Sequence, residues 1–90
     1  MEKYELNKFI LDYDNKINEL GKTLNIGSID KEINELESKS NDVNFWTDRD
    51  NALKIVERLN ELKTKYNDFK NIKDKFIDIK DIVESNDEEM

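Results

Sequence analysis

The side chains of this 90-residue chain that could move a proton or hold a cation are carboxylates, lysines and tyrosines; histidine and cysteine are absent. Without them the commonest general base, the commonest neutral metal ligand and any thiolate are missing. Carboxylates are abundant, with 22 Asp and Glu. Asp12 with Asp14, and Asp48 with Asp50, are i,i+2 pairs, which diverge on a helix. Asp87-Glu88-Glu89 is a terminal run. All are read as solvated charge and helix-end electrostatics rather than an acid–base or metal centre. Gly21 and Gly27 stand in no G-x-G pattern, so no phosphate loop is present. No catalytic, cofactor-binding or metal-binding residue is predicted, no cofactor is expected, and the chain is read as not an enzyme.

Two other patterns bear on binding. Lys63, Lys70, Lys73 and Lys80 fall within about 100° of one another on a helix. Asp74, Asp81 and Glu84 share that arc, and no aromatic residues interleave as a nucleic-acid stacking platform requires. The band is therefore expected to be a solvated face, with lysine stems covering apolar edges. Phe45 and Trp46 beside a helix start are expected to pack and to fix the entry angle of the chain, with a partner hot spot as the alternative. Tyr4, Tyr13 and Tyr66 sit at helical spacing among apolar residues and are assigned to core or rim packing.

The elements that must carry these residues read as helices. Leu6, Ile10, Tyr13, Ile17, Leu20 and Leu24 recur at steps of 4, 3, 4, 3 and 4, a heptad seam that Phe9 widens. Asp12 and Lys16 can pair across one turn. This helix is placed at about 3–24, with its turn between Gly21 and Gly27. A second, at about 28–40, takes Ser28 as N-cap, buries Ile29, Ile33 and Leu36, and ends before Asn41-Asp42-Val43-Asn44. A third, at about 48–84, starts at Thr47 as N-cap, with Asp50 three residues on in a capping-box-like arrangement. It would have about 36 residues and span ~54 Å, followed by an acidic, frayed tail at 85–90. From Val56 to Val83 its apolar row swings by roughly 180°, against ~80° for a strict heptad repeat. One straight neighbour cannot cover both halves. Either the helix kinks near Asn67-Asp68 or Asn71, or its second half has a different partner, a second copy or a helix from beyond Met90; the latter is favoured.

Composition agrees. The chain has no proline and two glycines, is 41% charged and 36% hydrophobic, and carries a net charge of −7. So few breakers and so modest an apolar share suit amphipathic helices in one small domain. The fold class predicted is all-α: a three-helix antiparallel, coiled-coil-like bundle with a long third helix, spanning 1–90 as a single domain of a longer protein. The negative charge argues against direct nucleic-acid binding by this chain alone. No signal peptide or membrane span is evident, so the expected location is cytoplasmic.

Ile33-Asn34-Glu35-Leu36-Glu37, Asn44-Phe45-Trp46-Thr47-Asp48, and Ala52-Leu53-Lys54-Ile55-Val56 running on to Glu57-Arg58-Leu59-Asn60-Glu61-Leu62-Lys63 together resemble the N-terminal domain of bacterial release factor 2, in the class I peptide chain release factor family. That family shows a short helix of the type IEELE, a PDFW-D turn and a helix continuing ELNELK. Ile82-Val83-Glu84-Ser85-Asn86-Asp87-Glu88-Glu89 resembles the acidic joint before its next helix. The resemblance covers nearly the whole chain; Val43 stands where the family usually has proline. It implies a part in translation termination at UGA and UAA stop codons. Codon reading and peptide release there belong to Ser-Pro-Phe and Gly-Gly-Gln motifs, and this chain, with no proline and no adjacent glycines, holds neither. What it implies is a ribosome-facing positioning module approaching the stalk base of the large subunit, with the remainder of its own chain beyond Met90 as a second partner and weak homodimerisation of the isolated piece. The rival is a self-associating coiled-coil adaptor unrelated to translation.

Overall fold

The computed structural model describes residues 3–88. It is all-α, with helices α1 (Lys3–Leu24), α2 (Ile26–Ser40) and α3 (Arg49–Glu88), and a single 3₁₀ turn at Phe45–Thr47. Among the described residues there is no strand. The chain divides into two compact units: residues 3–24 with 69–88, and Asn25–Asp68.

The second unit pairs α2 with the first part of α3. Near the end of α2, Lys39 borders the same hollow as Asn51 and Ile55 at the start of α3. Further back, Glu32 meets Arg58 further on, which is the order of an antiparallel pair. Ile29 and Ile33, one turn apart on α2, face Leu59 and Leu62 on α3, with Ile26, Leu36 and Tyr66 packed around them. Leu62 is 2% exposed and Ala52 0%. The spacings are those of a narrow helical stripe meeting its counterpart.

The first unit pairs α1 with the second part of α3. Gly21 lies against Phe69 and Tyr13 against Phe76, so α1 descends as α3 ascends. Ile17 and Phe76 are its buried residues. Gly21 works here as a close-approach residue inside α1: a Cβ at this position would stand 3.0 Å from Phe69 Cζ, so the aromatic ring fills the space a side chain would take. Thus the two parts of α3 do have different partners, α2 and α1, and both lie within this chain. The partner expected from beyond Met90 is not what covers Phe76.

Helix ends differ from the sequence expectation in three places. The break after α1 rests on Asn25, not on a glycine: Asn25 has φ 56° and ψ 55°, the left-handed region that asparagine enters more readily than most residues. Its carbonyl accepts N–H bonds from Ser28 (3.0 Å) and Ile29 (3.1 Å). α2 therefore begins two residues early, with Gly27 and Ser28 inside it, and Ser28 is not its cap. At α3 the cap is Asp48, whose Oδ1 accepts the Asn51 N–H at 3.2 Å while its carbonyl accepts that of Ala52 at 2.9 Å. Thr47 is instead held in the 3₁₀ turn, its Oγ1 donating to the Asn44 carbonyl at 2.6 Å. That local bond competes successfully with capping. Finally, α3 continues to Glu88, into the segment expected to fray; Glu89 and Met90 lie outside the described residues.

Two stability predictions follow from this packing. Leu62→Ala leaves a cavity at the most enclosed side chain of the second unit and should cost about 2–5 kcal/mol, measured by urea unfolding. Asp48→Ala should cost about 0.5–2 kcal/mol, and more than Thr47→Ala if Asp48 is the cap; the reverse order would restore Thr47 to that role.

Candidate interaction surfaces

No group of three or more Asp and Glu residues is disposed to hold a metal ion among the described residues. Asp48 is engaged as a cap, whereas Asp12 and Asp50 are exposed and Asp14 is half-buried.

Polar contacts cluster on the second unit. Arg58 donates from Nε to Glu32 Oε1 at 3.1 Å and from its Nη2 to Oε2 at 3.2 Å, a two-pronged pairing across the helices. Its hydrogen bonding to Glu32, and then the charge of that carboxylate, raise the Arg58 pKa above its ordinary value. Glu61 adds contacts to Arg58 at 3.6 Å and to Lys65 at 3.4 Å. These groups are solvent-accessible, so they tune the alignment of the helices more than their stability. Of the four band lysines, Lys63 is paired with Glu37 at 3.1 Å. Lys70 and Lys73 are exposed and Lys80 half-buried, consistent with a solvated face.

The Phe45–Trp46 pair is ordered by its turn. Asp42 Oδ1 accepts the Asn44 N–H at 2.8 Å, and the Phe45 N–H bonds the Asp42 carbonyl at 3.0 Å. The rings meet edge to face at 5.3 Å. Phe45 is half-buried, over a hollow it shares with Asn51 and Ile55. Trp46 is 59% exposed, and Val43, where a proline was the familial expectation, is 96% exposed. The sequence expectation of packing holds for Phe45 and fails for Trp46: the turn aims consecutive side chains in different directions, and only one can face the helices.

The first unit carries an apolar groove of about 260 Å³, lined by Phe9, Tyr13, Ile72, Lys75, Phe76 and Ile79. Phe9 and Tyr13 lie 5.2 Å apart, and Tyr13 stacks on Phe76 at 5.9 Å. Lys16 Nζ stands 6.0 Å from the Tyr13 ring centre. Sequence reasoning assigned Tyr13 to packing and missed the groove. Its signals were Phe9 widening the seam and the swing of the α3 stripe.

Trp46 thus contributes little to stability. Trp46→Ala should change unfolding free energy by no more than about 1 kcal/mol, and native Trp46 fluorescence should be readily quenched by acrylamide. A shielded indole would show that the ring packs.

Among the described residues no helix is long and apolar enough to cross a membrane. No protein-family profile matches the chain, and no solved structure does. Individual proteins do. Peptide chain release factor 2 of Acholeplasma laidlawii is 35% identical over 78 residues, covering 87% of this chain and 21% of that protein. Its namesake from Clostridium perfringens (strain SM101) is 33% identical over 78 residues, covering 83% and 21%. A chloroplastic peptide chain release factor of Arabidopsis thaliana is 35% identical over 60 residues, covering 67% and 13%. The chain spans about a fifth of the length of the release factor 2 relatives it matches. Over most of its residues, then, this chain is a relative of peptide chain release factor 2, corresponding to a segment and not to the whole of such a protein.

Proposed function

We propose that residues 1–90 are the N-terminal helical domain of a class I release factor that directs termination at UGA and UAA stop codons. Its contribution is positional. The domain faces the ribosome, toward the stalk base of the large subunit, and helps hold the factor while other parts read the codon and release the peptide. The observation that carries this is the 33–35% identity to two release factor 2 proteins across 83–87% of the chain. The absence of histidine, cysteine, proline and adjacent glycines supports a module that does no bond chemistry itself. The exposed apolar face of the first unit is suited to contact with further protein, including the rest of the factor.

Two linked measurements test this. On ribosomes programmed with a stop codon, the 90-residue chain should release no peptide above background; stop-codon-dependent release would overturn the non-catalytic role. Exchanged for the matching segment of Clostridium perfringens release factor 2, it should preserve release activity. A folded chimera that no longer terminates would contradict the positional role.

A further inference from the structure

We propose that the turn between α2 and α3 is a docking tip for a basic protein surface: the exposed face of Trp46 receives an arginine side chain of the partner, drawn there by the carboxylates of Asp42, Asp48 and Asp50. The inference needs only this turn and does not depend on the release-factor reading.

The backbone that displays Trp46 is fixed. Asp42 Oδ1 accepts the Asn44 N–H at 2.8 Å. Thr47 donates its N–H and its hydroxyl to the Asn44 carbonyl at 3.1 and 2.6 Å, and Asp48 Oδ1 accepts the Asn51 N–H at 3.2 Å. Phe45 is half-buried and meets the indole edge to face at 5.3 Å. The indole itself is 59% exposed and Val43 96% exposed. An indole left this open does little for folding, and a braced turn has already met part of the ordering cost of binding. Tryptophan is also the residue type most enriched where partners anchor.

Charge selects the occupant. Between Asp42 and Asp50 stand three carboxylates and one cation, Arg49, all exposed. Among the described residues none of the three carboxylates takes part in an ion pair. Asp42 and Asp48 each commit one oxygen to a backbone N–H, so both remain charged acceptors for a further donor. Lys39 borders the hollow beside Phe45, which Trp46 does not line. A cation over an indole is attracted by the ring quadrupole. Guanidinium lies flat on the ring while its edge N–H groups stay free for carboxylates. The net charge of −7 steers the same kind of partner from a distance. Nucleic acid fits poorly: a base could stack on Trp46, but its phosphates would meet three aspartates. A second copy would bring the same three carboxylates against these.

The test uses the 90-residue chain, whose single tryptophan makes indole emission a report on Trp46 alone. The probes are three alanine-rich helical peptides of about 14 residues, carrying arginine, lysine or glutamate at i,i+4 spacing and no apolar stripe. The arginine peptide should bind about tenfold more tightly than the glutamate peptide and more tightly than the lysine peptide, shifting Trp46 emission and the ¹⁵N-labelled amides of residues 42–51. Trp46→Leu keeps an apolar side chain without the indole face; followed by the same amides, it should bind the arginine peptide about fivefold more weakly. D42N/D48N/D50N keeps a side-chain oxygen for each backbone N–H while removing the charges. It should retain helical circular dichroism and reduce the preference for arginine over glutamate to about threefold or less. Equal affinities for any two peptides, shifts centred elsewhere, or wild-type behaviour in either variant would overturn the proposal. So would emission that responds to polyuridylate more than to the arginine peptide, or an indole that becomes shielded as the chain alone is concentrated, since these assign Trp46 to nucleic acid or to a second copy.

Discussion

A helix hides only the stripe of its surface that a neighbour covers, and the rest of this structure depends on that constraint. α3 carries its apolar residues along a row that turns around the axis, so its two parts need different neighbours. α2 supplies one through Ile29 and Ile33 against Leu59 and Leu62. α1 supplies the other through Gly21 against Phe69 and Tyr13 against Phe76, with Ile17 buried in the same unit. The side chains that bear the burial are aliphatic and aromatic, and the charged residues are left at the margins. No buried side-chain oxygen or nitrogen lacks a partner among the described residues. This follows from the separation: polar groups stay where water satisfies them.

The same constraint shapes function. A stripe that is fully covered contributes stability, and one that is partly covered is available to other proteins. The second unit is of the first kind, with five buried hydrophobic residues; the first unit has two, and several exposed ones around its groove. The chain is related to a segment of release factor 2, about a fifth of the length of such proteins.

Much of the architecture was legible in the sequence because it rests on periodicity. The heptad steps from Leu6 to Leu24 and the run from Ala52 onward placed three helices, since 3.6-residue spacing survives whatever the neighbours are. Helix ends were less legible, because single bonds decide them. Asn25 enters the left-handed region between two glycines that had more freedom to do so, and Thr47 spends its hydroxyl on Asn44, leaving Asp48 to cap. Trp46 was misplaced for a similar reason: its residue type favours burial, but the local turn aims it outward. The groove was hidden because it exists only once Phe9 on α1 and Ile79 on α3 share a surface, some 70 positions apart in sequence.

Native-state amide hydrogen exchange tests the central claim most directly, that covered stripes decide where this chain is held together. Amides at Ile29, Ile33, Leu59 and Leu62 should exchange slowest, at the rate set by global unfolding, with α1 and the last two turns of α3 opening at lower cost. Slowest exchange in α1, or uniform protection along all three helices, would contradict the account.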